Sequence, residues 1–199
     1  MYTELEIVNH ILQIAGEDQT PTLNTTHPAV VAARQALAGY NKEFQGAGWW
    51  FNKEFGVKLL PNDEGKVAIP SNMLSFQVTR CLLQPSSPAC QARFVRRGKW
   101  VYDTVKHTNI IGMAVWADLI TMLDIPDLPA NAGTYLKHLA AQRYFVDTDG
   151  DLQQGRELEN RLMRAWATFR DEQLRVTGAN ALNGYTGRRM RAGVQNLKW

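Results

Sequence analysis

The chain has 199 residues, 45% of them hydrophobic, 10% aromatic and 21% charged, a balance that excludes a chain too polar to bury a core and suggests one globular domain with appendages. Its formal net charge is only +3, and the excess lies after Thr177, where Arg188, Arg189, Arg191 and Lys198 occur without any Asp or Glu, leaving the body near neutral. No apolar run approaches the ~18 residues of a membrane span and Met1-Tyr2-Thr3-Glu4 lacks a signal-peptide pattern, so no membrane partner is expected and the chain should stay in the cytoplasm where it is made.

Thr3 with Glu6 three residues on forms a capping box, Leu5, Val8, Leu12 and Ala15 make one apolar stripe, and Gly16 ends it, which predicts a first helix over 4–15. Glu17 to Thr26 reads as a polar loop. Pro28 suits the first turn of a second helix over 28–47, along which Val30, Ala33, Leu37, Tyr40, Phe44 and Ala47 recur at alternating steps of three and four. That helix runs into Gln45-Gly46-Ala47-Gly48-Trp49-Trp50-Phe51-Asn52, the stretch around which the rest is organised. Two glycines close the helix and three successive aromatic residues open a strand. Gly48, Trp49, Phe51 and Asn52 are therefore expected to form a structural corner where the helical and β parts meet, with the rings buried as its anchor.

From 49 to 121 the pattern becomes strand-like. Phe55, Val57 and Leu59 alternate before Leu60-Pro61, Asn62-Asp63-Glu64-Gly65 is a turn leading to Val67-Ala68-Ile69-Pro70, and Phe76, Val78 and Arg80 begin another extended run. Phe94 to Asp103 reads as a hairpin with Gly98 supplying a positive φ at its tip; Arg96, Arg97 and Lys99 make that tip basic. Ile110 to Thr121 is apolar enough for a strand or a short helix. Cys81 and Cys90 flank a loop containing Pro85 and Pro88, and without a signal sequence they read as buried free thiols. Helices return after Asp127-Leu128-Pro129, over 131–147 (Tyr135, Leu136, Leu139, Ala140, Tyr144) and 151–177 (Leu158, Leu162, Ala165, Trp166, Phe169). Residues 179–199 carry isolated apolar side chains that cannot bury one another, so this basic tail is expected to gain order only on a partner. The fold class expected is α+β: a helical bundle with an antiparallel β insertion and an extended C-terminal tail, all of 1–178 forming one domain.

Candidate chemistry is sparse. Asp147, Asp149 and Asp151 begin like a calcium loop, but Leu152 stands where that loop needs Gly and Leu158 where it needs Glu, so the acids read as helix caps. His10, His27, His107 and His138 have no H-E-x-x-H or C-x-x-C company, and nucleophile-elbow, P-loop and dinucleotide motifs are missing; no metal, cofactor or catalytic residue is expected. Carboxylate pairs for glycoside hydrolysis can be drawn from Glu4, Glu6, Glu17, Asp18, Glu43 and Glu54, as from most soluble chains. Arg93, Arg96, Arg97 and Lys99 beside Trp100 suit either a solvated strand tip or a phosphate backbone.

An ordered set of short motifs then gives the chain a relative. Ile7-Val8-Asn9, Leu12, Ile14 and Gly16-Glu17, followed by Ala47-Gly48-Trp49-x-Phe51-Asn52, Leu60-Pro61, Ile69-Pro70, Val95-x-Arg97-Gly98-x-x-Val101-Tyr102-Asp103 and Asp127-Leu128-Pro129, resemble the tail tubular protein A family of short-tailed bacteriophages over roughly Leu5 to Asp147. Trp50 and Pro21-Thr22 depart from the family pattern, and the chain after Gly178 matches none of it. The resemblance implies a structural virion protein, the head-to-tail adaptor. Members of that family form a dodecameric ring that joins the portal to the nozzle, tail tubular protein B, and surrounds a channel for genomic DNA. In that setting Tyr185, Arg188, Arg189, Arg191 and Trp199 of the tail are expected to dock on a partner. Two alternatives come from other classes: a virion-associated polysaccharide hydrolase, and a small DNA-binding protein using the basic hairpin and tail.

Overall fold

The computed structural model describes residues 1–81, 93–148 and 151–178. Its chain divides into two units, Met1–Ala36 with the chain from Pro129 onward, and Leu37–Leu128. The first is helical and is assembled from two separate stretches; the second is mainly β and continuous in sequence.

In the helical unit, α1 (Glu4–Ile14) begins at Thr3, whose hydroxyl accepts from the Glu6 N–H while the Glu6 carboxylate accepts from the Thr3 N–H at 2.7 Å. This reciprocal cap satisfies donors that a helix start leaves open. Ile7, Val8, Ile11 and Leu12 on one face are completely buried, each contributing roughly 1.5 to 3 kcal/mol. They lie against α3 (Ala130–Thr148), whose buried face is Ala132, Gly133, Leu136, Leu139, Ala140 and Phe145, and α3 in turn packs on α4 (Leu152–Val176) through Leu158, Ala165 and Phe169. Tyr135 stacks on Phe169 with centroids 5.7 Å apart and planes 8° from parallel, and Trp166 closes the aromatic group at 5.1 Å from Tyr135. Asp151 caps α4, its Oδ1 accepting from the Gln153 and Gln154 N–H groups at 2.7 and 3.3 Å. Of the three acids that suggested a calcium loop, Asp149 lies outside the described residues and Asp151 is a cap.

The expected helix over 28–47 is α2 (Pro28–Gly46), and it belongs to both units, the first up to Ala36 and the second from Leu37. Its stripe is buried at Val30, Ala33, Leu37 and Phe44, but Tyr40 is half-buried, Ala47 lies exposed past the helix end, and the amides Asn41 and Gln45 are buried instead.

In the β unit, β1 (Lys53–Leu59), β2 (Met73–Cys81) and β5 (Val115–Thr121) form an antiparallel sheet in the order β1-β5-β2, and β3 (Phe94–Arg97) pairs with β4 (Trp100–Asp103) as a separate hairpin. The apolar 110–121 stretch is thus the central strand from Val115 on. Its side chains alternate, with Val115, Ala117, Leu119 and Thr121 buried. The core between the two sheets takes Val67, Ile69, Met73, Val78, Phe94, Val101 and Ile111. Phe55 does not join it. A bulge falls between Glu54 and Val57, where the Gly56 N–H donates to Asp118 Oδ1 at 2.8 Å, and the change of phase turns Val57 and Leu59 inward while leaving Phe55 75% exposed.

Cys81, at the end of β2, is disulfide-bonded and buried, which corrects its reading as a free thiol. That reading rested on the expected redox compartment, which bears on whether thiols are oxidised and not on whether the fold brings two sulfurs within bonding distance. Cys90 lies outside the described residues.

Candidate functional site

The corner predicted around Gly48 is built within the β unit from buried amides more than from rings. Asn52, 1% exposed, uses both ends of its side chain: Oδ1 accepts from the Trp49 N–H at 2.8 Å, and Nδ2 donates to the Gln45 and Thr121 carbonyls at 2.9 Å each. Gln45, fully buried, reaches the opposite way. Its Oε1 accepts from the Leu123 N–H at 2.8 Å, while Nε2 donates to the Leu123 carbonyl and to Asn41 Oδ1, both at 2.9 Å. The end of α2, the turn and the strand end at Thr121 are thereby joined by hydrogen bonds that leave few polar groups unpaired. Gly48 has φ +74°, and a Cβ there would stand 2.5 Å from Lys53 Cε and 2.6 Å from Ile120 Cδ1.

The three rings are half-buried, not core, which corrects the expectation that they anchor the corner by burial. Trp49 Nε1 donates to the Phe44 carbonyl at 2.7 Å, and Phe44 lies 5.5 Å from Trp49 and 6.4 Å from Phe51, so the rings pack on one another at the end of α2. Sequence reasoning named Asn52 but missed Asn41 and Gln45. The available signal was two amides four residues apart on an apolar helical stripe.

The hairpin has the predicted turn: Arg97 pairs with Trp100, Gly98 has φ +60°, and Gly98-Lys99 form the loop. Its cations are held in several ways. Arg96 donates to the Met73 carbonyl at 2.8 Å and to the Gly98 carbonyl at 3.1 Å, and the Arg97 guanidinium lies 3.7 Å from the Tyr102 ring centre. Lys99 stands 5.5 Å from the Trp100 ring. Arg93 grips Asp103, 2% exposed, through Nε at 3.0 Å to each oxygen and Nη2 at 2.7 Å. These hydrogen bonds, with help from the Val105 and Lys106 N–H groups and the Arg93 charge, overcome burial and lower the Asp103 pKa to about 2.

With both predicted sites placed, comparison with known proteins assigns the family. The chain matches the tail tubular protein family over residues 5–197. It belongs to that family. It is also 26% identical over 149 residues to tail tubular protein A of Klebsiella phage KP34, a match spanning 74% of this chain and 75% of that protein. As a tail tubular protein it is a structural component of a phage tail, located in the virion and assembled with other tail proteins. The tail residues Tyr185, Arg188, Arg189, Arg191 and Trp199 lie outside the described residues.

In this tail tubular protein three acids are poorly suited to act as a general acid. Asp103, Glu6 and Glu64 are held below the usual carboxylate range, by Arg93, by the Thr3 N–H and by Lys66 respectively, whereas a general acid needs a raised pKa. One cleft, lined by Ile14, Asp151, Gln153, Gln154, Glu157 and Arg161, does hold two carboxylates, but Asp151 is engaged with the α4 N-terminus. No helix among the described residues is long and apolar enough to cross a membrane.

Proposed function

We propose that this tail tubular protein is the head-to-tail adaptor, a non-enzymatic subunit of a dodecameric ring that joins the portal to the nozzle protein around the exit channel for genomic DNA. The observation that carries the reading is the family match over nearly the whole chain. A ring subunit must hold its shape under load, and the corner supports this: rigid polar networks specify one arrangement where apolar contact alone would allow several. In this reading residues 1–178 act as one adaptor domain, made in the host cytoplasm and carried into the virion. Tyr185, Arg188, Arg189, Arg191 and Trp199 dock on the portal, the arginines on carboxylates and the rings in apolar pockets. Arg96, Arg97 and Lys99 face solvent or passing DNA.

Electron microscopy of the purified protein mixed with portal tests the proposal: rings seated on the portal are expected, and monomers that never join it would refute the adaptor role. Removing the chain from Ala181 onward should leave the melting temperature of the body within a degree or two and sharply weaken portal attachment. Undiminished attachment would end the docking role of the tail.

A further inference from the structure

One group of cations in the helical unit has no part in the corner, the hairpin or the core. Residues Asn131, Thr134 and His138 follow one another at steps of three and four on α3, and Arg161, Arg164, Ala165 and Thr168 share one face of α4. Together they line a cleft of about 300 Å³. The two threonine hydroxyls donate to their own helices, Thr134 to the Ala130 carbonyl at 2.9 Å and Thr168 to the Arg164 carbonyl at 3.2 Å, which leaves the guanidinium groups, the imidazole and the Asn131 amide as donors toward the cleft. Among the described residues neither Arg161 nor Arg164 is in an ion pair, in contrast to Arg34 with Glu4, Lys66 with Glu64 and Arg93 with Asp103.

The lining of this cleft contains two arginines and a histidine and no acid, although Arg161 also borders the next cleft, where Asp151 and Glu157 lie. His138 has a lowered pKa, through burial first and then the charges of Lys137 and Arg161. On α1, His10 meets the His138 ring edge-on at 5.7 Å; burial first, then Lys137, His138 and Arg161, push its pKa down to about 4. Its Nε2 is buried without a hydrogen-bond partner.

We propose that this cleft between α3 and α4 is a receptor for a single carboxylate, an aspartate or glutamate side chain presented by a neighbouring protein of the tail, with Arg161 and Arg164 as its principal donors. Guanidinium groups suit a carboxylate because their planar donors can engage both oxygens. Charge complementarity also distinguishes this ligand from nucleic acid. The exposed surface of α4 mixes Glu157, Glu159 and Asp171 with Arg156 and Arg170 on either side of the two arginines, so it offers no continuous run of cations to backbone phosphates, whereas the lining of the cleft itself holds no acid. The inference takes from the family assignment only where such a partner is met; if no carboxylate binds, the tail assignment stands on its own evidence.

The test uses the full chain and follows the His138 ring signals by NMR and Trp166 by fluorescence. Four probes are titrated: a capped Ala-Glu-Ala peptide, its Ala-Gln-Ala counterpart, inorganic phosphate and a short DNA duplex. Expected are saturable shifts with the Glu peptide, a raised His138 pKa when it is bound because negative charge now faces the ring, and no saturation with the Gln peptide. Arg161→Gln with Arg164→Gln, both at exposed positions, should weaken the Glu peptide roughly tenfold or more without altering the circular dichroism. If the double variant unfolds, Arg164→Gln alone is compared with Arg170→Gln on the same helix outside the cleft, and only the former should lose affinity. Equal responses to the two peptides, an unchanged affinity in the arginine variants, or tighter saturation by duplex or phosphate than by the Glu peptide would each overturn the proposal.

Discussion

The corner and the basic hairpin are both turns of the β unit set on a glycine of positive φ, at +74° for Gly48 and +60° for Gly98, yet they are secured by different means. At Gly48 a Cβ would collide with Lys53 and Ile120; at Gly98 it would meet nothing within 4 Å. Two buried amides, Gln45 and Asn52, tie the first turn to distant strands, whereas the second is tied back mainly by backbone, the Lys99 carbonyl accepting from the Ile69 N–H at 2.9 Å, together with Arg96 on the Met73 carbonyl and the buried Arg93–Asp103 pair at the open end. A turn enclosed by side chains around its glycine suits a structural joint, and one whose backbone is tied while Gly98 and the Lys99 side chain stay exposed leaves its tip available. The same backbone device therefore serves rigidity in one place and presentation in the other.

The largest effect that would break this contrast comes from Asn52→Ala. It leaves the Trp49 N–H and the Thr121 carbonyl without their Asn52 partner and the Gln45 carbonyl with the Gly48 N–H alone, and at roughly 1 to 3 kcal/mol for each unsatisfied buried group the variant should lose about 3 to 5 kcal/mol in denaturant unfolding. A loss near that of an ordinary surface change would show that the rings, not the amides, hold the corner.

Next is the pair Gly48→Ala and Gly98→Ala. The first combines an unfavourable φ with two overlaps and should cost about 3 kcal/mol; the second has the φ alone and should cost about 1. Equal costs would mean that close packing adds nothing at the corner.

Asp103 sharpens the comparison on the hairpin side. Its folded pKa of about 2 lies below the ordinary carboxylate value, so its contribution is fully present above about pH 4 and is lost as the pH falls toward 2. Over that window the wild type should lose about 2 kcal/mol that Asp103→Asn has already lost at neutral pH, where Arg93 is left without its charge partner. Parallel stability curves for the two proteins between pH 4 and pH 2 would refute the role of the ion pair.

Smallest is Lys99→Gln at the tip, expected within about 0.5 kcal/mol of wild type in stability. If the tip touches DNA, the variant should lower the salt dependence of binding by about one counterion, and an unchanged slope would confine the tip to solvent.

Local features were legible in the sequence because each rests on neighbours in the chain. The capping box of Thr3 and Glu6, the apolar steps of the helices and the tight turn at Gly98 need only a few consecutive residues to specify them. The family followed from motifs of the same kind. What escaped depends on partners far along the chain: the placing of β5 between β1 and β2, the bond of Gln45 to Leu123, and the turning of Phe55 to solvent by a bulge whose partner is Asp118. Asp103 and Arg93 were each in view, but only the pairing of Phe94 with Asp103 brings the carboxylate beside the arginine. The cationic cleft was illegible for a like reason, since its two halves come from different helices and each alone is an ordinary solvated face.

The division of the helical unit into two stretches of chain sets an order in time. The β unit, Leu37–Leu128, is contiguous and has all its strands once Thr121 is made, whereas α1 is translated before it and Ile7, Val8, Ile11 and Leu12 must wait for α3, the helix they pack against. At about 10 residues per second that interval is roughly 10 s, long compared with the collapse of a β unit of this size. A helix made before the β unit is thus among the last to find its place. For those seconds its greasy face is what a chaperone, or a second unfinished chain on the same message, would encounter.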